Sequence, residues 1–212
     1  MFTWLPLYDL PTVPQKFVER CFDILRDPNN APPSAIGAHY GGAAYEDRQI
    51  VNGSKITNTR YLKGFSLGDD WEQWVKENII SDFFNTGFRI STGKNTETHG
   101  PHIDSTDMSK YGGTAGSRRV HWKLNYLLTQ GGEDATTVFF REKGKEIDQS
   151  YSQTTTSIDD YSFVEEIERV KFPLNKWILL NTGVVHGVHH VTDDRINLTV
   201  MVPHNSLSFN IK

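Results

Sequence analysis

The chain has 212 residues, a length that fits one domain and allows a sizeable buried core. Its 22 basic and 26 acidic side chains give a formal charge of -4 and are spread along the chain, so composition supplies no footprint for nucleic acid or an anionic membrane and points to a small-molecule or peptidyl partner. Cys21 is the sole cysteine, which excludes an internal disulfide and a thiolate-rich metal site, so a metal here needs nitrogen and oxygen ligands.

The opening stretch, MFTWLPLYDLPTVPQKF, lacks a basic segment followed by an apolar run, and no later run approaches the roughly 18 apolar residues of a membrane span, so a cytoplasmic location is expected. Thr12 and Pro14 open a predicted helix in which Phe17, Val18, Cys21, Phe22 and Leu25 recur at helical steps, and Asp27-Pro28 stops it. Residues 31–68 are rich in Gly, Pro and Asn with little periodicity, and loops or short irregular strands are expected there. Asp69 or Asp70 caps a second helix, carrying the stripe Trp71, Trp74, Val75, Asn78, Ile79 and Phe83. That stripe reads as a packing face, with a tryptophan-lined binding surface as the alternative.

After Phe84 the pattern changes to short strands separated by turn residues, at 88–92, 120–128, 137–141, 163–170, 177–181, 185–190 and 196–202. Helices first and strands afterwards, without regular alternation, predict a mainly β fold: an antiparallel barrel or jelly roll with flanking N-terminal helices. The chain reads as a single domain over 1–212, with 1–87 as helix and loop support and 88–203 as the jelly-roll core. Residues 143–160 contain the low-complexity SYSQTTTS and an acidic end, and are expected to be an insertion between strands rather than a core element. Either a mobile lid or an ordinary hairpin extension fits that composition.

The strongest chemical signal is His102-Ile103-Asp104, followed 82 residues later by His186 and nine residues beyond that by Arg195. Two imidazoles and one carboxylate on one face are the donor set of a non-haem Fe(II) that keeps positions open for other ligands. His and Asp two apart point the same way in extended chain, and a distant histidine then arrives on a neighbouring strand. A His-x-Asp tripeptide alone is a weak signal, and its context raises it. The turn-rich THGPHIDSTD follows a strand, His186 follows the apolar WILLNTGVV, and Arg195 opens the apolar RINLTVMVP.

Through FRISTG, HGPHIDS, RRVHWKLNYLL, TVFF, WILLNTGVVHGVHH and DRINLTVMV, about residues 88–203, the chain resembles the Fe(II)/2-oxoglutarate-dependent dioxygenases with a double-stranded β-helix, cupin-like core. The likeness is to small prolyl-hydroxylase-like members and short bacterial and viral relatives; residues before 88 carry no motif of the family. It implies that His102, Asp104 and His186 ligate Fe(II) and that Arg195 pairs with the distal carboxylate of 2-oxoglutarate. O2 then drives hydroxylation of a small-molecule or peptidyl substrate, with release of succinate and CO2. Asp104 speaks against the halogenating branch, in which a small residue replaces the carboxylate. Asn197 stands where some members carry Ser, and Asn125 falls near a position that contacts 2-oxoglutarate in related enzymes.

Alternatives stay open at three points. Lys123 shares a strand face with His121, Asn125 and Leu127 and competes with Arg195 for the carboxylate, while Arg195 itself has the surface alternative of pairing with Asp193 or Asp194. His99 lacks an aspartate two positions on, and of His189 and His190 one must point away from the face that His186 uses; His39, His121 and His204 have no ligand spacing. The rival functions are another cupin-type metal enzyme, using zinc or manganese and an activated water, and a non-enzymatic jelly-roll binding module.

Overall fold

The structure is a computed structural model that describes residues 2–27, 30, 59–65, 67–83, 85–93, 97–107, 118–143, 155–157 and 164–203. Its elements in chain order are β1 (Trp4–Leu7), α1 (Gln15–Arg26), β2 (Thr59–Phe65), α2 (Asp69–Asn78), β3 (Asn85–Gly93), β4 (Glu97–Asp107), β5 (Arg118–Gln130), β6 (Thr136–Glu142), β7 (Thr155–Ser157), β8 (Val164–Val170), β9 (Trp177–Asn181), β10 (Val185–His189) and β11 (Arg195–Pro203). Among the described residues no helix is long and apolar enough to cross a membrane.

Helix α1 starts directly after Pro14, whose ring restricts φ ahead of the first turn, and it buries Phe17, Cys21 and Ile24. Helix α2 starts after Gly68, held at φ 93, a left-handed conformation that glycine adopts without a Cβ penalty. Asp69, Asp70 and Glu72 fill its first turn, where negative charge complements the helix dipole. The helix stops at Asn78, short of the stripe predicted to reach Phe83. The apolar pattern outlives the helix because Ile79, Ile80 and Phe83 pack on the same core after the chain has turned. Arg20 ties the two helices together, its Nη1 and Nη2 lying 2.5 and 3.0 Å from the carboxylate oxygens of Asp70.

The strands form two antiparallel sheets, an arrangement compatible with a β-sandwich. The larger runs β2-β3-β11-β5-β9-β1, and the smaller β8-β6-β10-β4-β7. They join where Ser105 to Asp107 of β4 pair with Arg118 to Val120 of β5. From β3 onward, apart from the short β7, β3, β5, β9 and β11 go to the larger sheet and β4, β6, β8 and β10 to the smaller.

Side-chain alternation gives the larger sheet two faces. Leu124, Tyr126, Trp177, Leu179, Leu198 and Val200 point to the helices and join Phe17 and Trp71 in the main core. Trp71 donates through Nε1 to Thr86 Oγ1 at 2.8 Å, and that hydroxyl donates to Thr199 O at 2.9 Å, so a buried indole is satisfied while α2 is fastened to β3 and β11. On the opposite face, Leu127, Ile178 and Leu180 meet Phe139 of β6, together with Phe172, in a second cluster between the sheets. Strand β1 bridges the edges: Phe2 stacks on Trp122, Asn181 donates to the carbonyls of Phe2 and Thr3, and Thr3 and Trp4 donate to Glu168 of β8.

Each predicted strand is present; β8 starts one residue later and β10 ends one residue earlier than expected, and the others match or run up to three residues longer at an end. β1 and β7 lie where no strand is expected, β2 falls within 31–68, where loops or short irregular strands are expected, and β4 is expected only as a strand end or extended loop. The expectation of an insertion at 143–160 needs amendment at Thr155–Ser157, which pair with Asp104, Ile103 and His102 of β4. Lys143 is also described; the rest of that insertion, and most of 31–68, lie outside the described residues.

Candidate metal centre

His102 on β4 and His186 on β10 are direct partners across the smaller sheet. Both are buried, and their ring centroids lie 4.4 Å apart at an interplanar angle of 49°. His186 Nδ1 lies 2.9 Å from Val184 O. A carbonyl oxygen only accepts, so Nδ1 carries a proton; in the neutral ring this leaves the lone pair on Nε2, the tautomer of a histidine that ligates through Nε2. Phe139, opposite His186 on β6, completes the row, with ring centroids 6.3 Å apart. Phe139 belongs to the cluster between the sheets, which places this row on the inner face.

Asp104 lies two positions along β4 from His102, opposite Thr155 in register. Its side chain lies outside the described residues, as do those of His99 and His121 and the whole of His39 and His204. Among the described residues no group of three His, Cys, Asp or Glu side chains is gathered. What the fold brings together is the pair His102 and His186. His189 is buried on the other face of β10, where its ring lies 5.9 Å from that of Phe140, and His190 is exposed with φ 58 at the strand's end. Period two thus sets His189 apart from His186.

Arg195 opens β11 from the larger sheet and reaches across to the smaller one. Its Nη1 donates to Gln130 O at 3.0 Å and its Nη2 to Thr137 Oγ1 at 3.1 Å. It is only 5% exposed, and burial pulls its pKa down to about 10, which still leaves it charged at neutral pH. The surface alternative fails: no carboxylate among the described residues pairs with Arg195, and Asp193 and Asp194 are exposed. Asp194 has its carboxyl pushed up, by burial first and by Asp193 second. Gly131 makes the approach to Arg195 possible, because at φ 86 a Cβ there would stand 2.6 Å from Arg195 Cβ.

Thr137 is two residues from Phe139 on β6 and therefore on the same face, about 7 Å along the strand from the histidine row. The buried guanidinium and the histidine pair thus share one inter-sheet space. Thr137 and Phe139 were missed by the sequence reading; only strand register identifies them. Asn197 Nδ2 donates to Asn125 Oδ1 at 3.3 Å, so the two asparagines form a polar pair on this inner face. Lys123 is buried on the same face but toward its other end, between Leu180 and Met201, whereas Arg195 stands opposite Gln130. The structure does not bring the two cations together. A separate cleft of about 540 Å³, lined by Phe22, Leu25, Ile196 and Asp194 among others, lies on the helix side of the larger sheet and is not the histidine space.

No family model matches the chain, and no curated protein matches it. Among solved structures, one described as "Crystal Structure of EvdMO1" aligns at 11% identity with a TM-score of 0.43, over 94% of this chain and 46% of that one. The chain therefore spans a little under half the length of that structure, and a likeness at this level assigns neither a family nor an activity.

Proposed function

We propose that the protein is an Fe(II)- and 2-oxoglutarate-dependent oxygenase, with His102, Asp104 and His186 as the metal ligands and Arg195 as the anchor of the oxo-acid. The observation that carries this reading is Arg195: a buried cation without a carboxylate partner among the described residues, one strand repeat from two facing histidines. A buried charge is costly unless paired, and a guanidinium takes a carboxylate in two parallel hydrogen bonds. A zinc or manganese hydrolase would use the histidines but has no task for that arginine. The strand orders β3-β11-β5-β9 and β4-β10-β6-β8 support a double-stranded β-helix core, with strands shared alternately between two facing sheets except at β6 and β8, which are neighbours in the smaller one.

The donor set fits Fe(II). His186 is held by Val184 O in the ligating tautomer, His102 faces it, and Asp104 shares its strand with His102. Bound there, the metal supplies O2 activation coupled to oxidative decarboxylation of the oxo-acid, which hydroxylates a C–H bond and leaves succinate and CO2. The chain's own residues bind and orient. Arg195 holds the distal carboxylate, Thr137 and Gln130 hold the guanidinium in place, and Asn125 and Asn197 offer amide groups along the inner face. Phe139, Leu127, Ile178 and Leu180 keep water from one side of the space.

Anaerobic addition of Fe(II) and 2-oxoglutarate together is expected to give a weak visible charge-transfer band, absent with either alone and absent in His186→Ala. A protein that binds the metal but gives no band with the oxo-acid is a different metal enzyme. Wild-type iron affinity in both His102→Ala and His186→Ala removes the metal assignment altogether.

A further inference from the structure

We propose that Lys123 is the substrate-side cation of the site, so that the molecule to be hydroxylated carries a carboxylate or a phosphate. This rests on the assignment of the metal ligands and of Arg195 made above. Lys123 alternates with Trp122 and Leu124, which belong to the helix-side core, and shares its face with Leu127, which belongs to the inter-sheet cluster. It is 6% exposed, with Leu180 on one neighbouring strand and Met201 on the other. The ammonium carries three N–H donors on a flexible stem and can serve several oxygen acceptors at once. Lys123 has an interaction partner in this structure, which an incoming anion would share or displace.

Position separates its task from that of Arg195. Lys123 and Gln130, the register partner of Arg195, stand near opposite ends of β5, on the order of 20 Å apart at about 3.3 Å per residue. The two cations therefore stand at separate ends of the inner face. The histidine row lies between them. Going along the smaller sheet from Thr137, which bonds Arg195, the next inward row is Phe139, His186 and His102. Beyond it β4 runs on to Ser105, which pairs with Val120, a short step from Lys123 on β5. A co-substrate anchored on Arg195 therefore approaches the histidines from one side and leaves the Lys123 side for the second reactant. A charged head on Lys123, with an apolar body against Leu180 and Met201, would hold a C–H bond in the space between.

The test uses the full-length chain with Mn(II) in place of Fe(II), so that nothing turns over, and saturating 2-oxoglutarate. Binding of benzoate, phenyl phosphate and the neutral benzamide is then measured by calorimetry. We expect one of the anions to bind wild type at least about tenfold tighter than benzamide, and the better anion tells carboxylate from phosphate. Lys123→Met should erase that preference, Lys123→Arg should keep most of it, and 2-oxoglutarate affinity should hold in both. If Lys123→Met does not fold, Lys123→Gln carries the same comparison. An anion preference absent from wild type, or unchanged in the neutral variants, overturns the proposal while leaving the Arg195 assignment standing. Loss of 2-oxoglutarate binding in Lys123→Met, with retention in Arg195→Met, overturns both.

Discussion

Strands β5, β9 and β11 present one face to the helices and the other to the smaller sheet; the first is a continuous apolar layer, and the second sets polar and charged groups beside the Leu127, Ile178 and Leu180 cluster. Toward the helices stand Leu124, Tyr126, Trp177, Leu198 and Val200, closed over by Phe17 and Trp71. Toward the smaller sheet stand Lys123, Asn125, Arg195, Asn197 and Thr199, with His102 and His186 on the facing sheet. Residues adjacent in sequence thus serve different ends. The apolar layer supplies burial free energy, at about 25 cal/mol per Å² of apolar surface, and the inner face holds groups that are costly to bury unless something binds them.

The comparison breaks most forcefully at Trp71. Trp71→Ala should cost about 3 to 5 kcal/mol of stability by leaving a cavity and removing the indole donor from the Thr86 hydroxyl, as measured by denaturant unfolding. Metal and oxo-acid affinity of the folded fraction should hold. Arg195→Met should do the reverse: 2-oxoglutarate binding falls by about 2 to 5 kcal/mol in a calorimetric titration, while thermal stability stays level or rises because a buried charge has gone. If Arg195→Met unfolds the protein instead, the division of labour between the faces is wrong.

Gly131→Ala tests the seam between them. Its φ of 86 and the 2.6 Å approach to Arg195 Cβ predict a loss of about 1 to 3 kcal/mol together with weaker 2-oxoglutarate binding. The smallest effect belongs outside both faces, at Arg20 and Asp70. Hydrogen bonding from Arg20 holds the Asp70 carboxyl below the usual carboxylate range, so its contribution is present at neutral pH and is lost as pH falls through the lowered value. Asp70 is 46% exposed, so Asp70→Asn should cost less than about 1 kcal/mol at pH 7. Parallel acid titrations of the two proteins should converge once the pH has fallen through the lowered Asp70 value.

The strands that sequence reveals are those whose alternation is enforced by two covered faces, such as TTVFFRE and RINLTVMVP. The strands it hides have weaker constraints. β1 contains Pro6, which a sheet edge tolerates; β2 is an edge strand within a Gly- and Asn-rich stretch; β7 is three residues long. Of the candidate centre, His102 and His186 stand out in the sequence through residue type, spacing and strand context together, and the fold sets them opposite each other in register. Thr137 does not, because a threonine in a strand is ordinary and only the register with β10 and the reach of Arg195 give it a role. The separation of Lys123 from Arg195 was equally hidden, since a face can be read from alternation but a position along it cannot.

The pairing of β1 with β9 bears on how the chain folds. Trp4 lies opposite Leu180, and Asn181 bonds the carbonyls of Phe2 and Thr3, so this part of the larger sheet closes only when segments from opposite ends of the described sequence meet. Contacts of such sequence separation pay their loop-closure entropy before any burial rewards it, and they slow folding. Until closure, β9 presents the WILLN run, apolar from Trp177 to Leu180, with an unpaired edge, which in a refolding experiment makes aggregation a concentration-dependent competitor of the native fold.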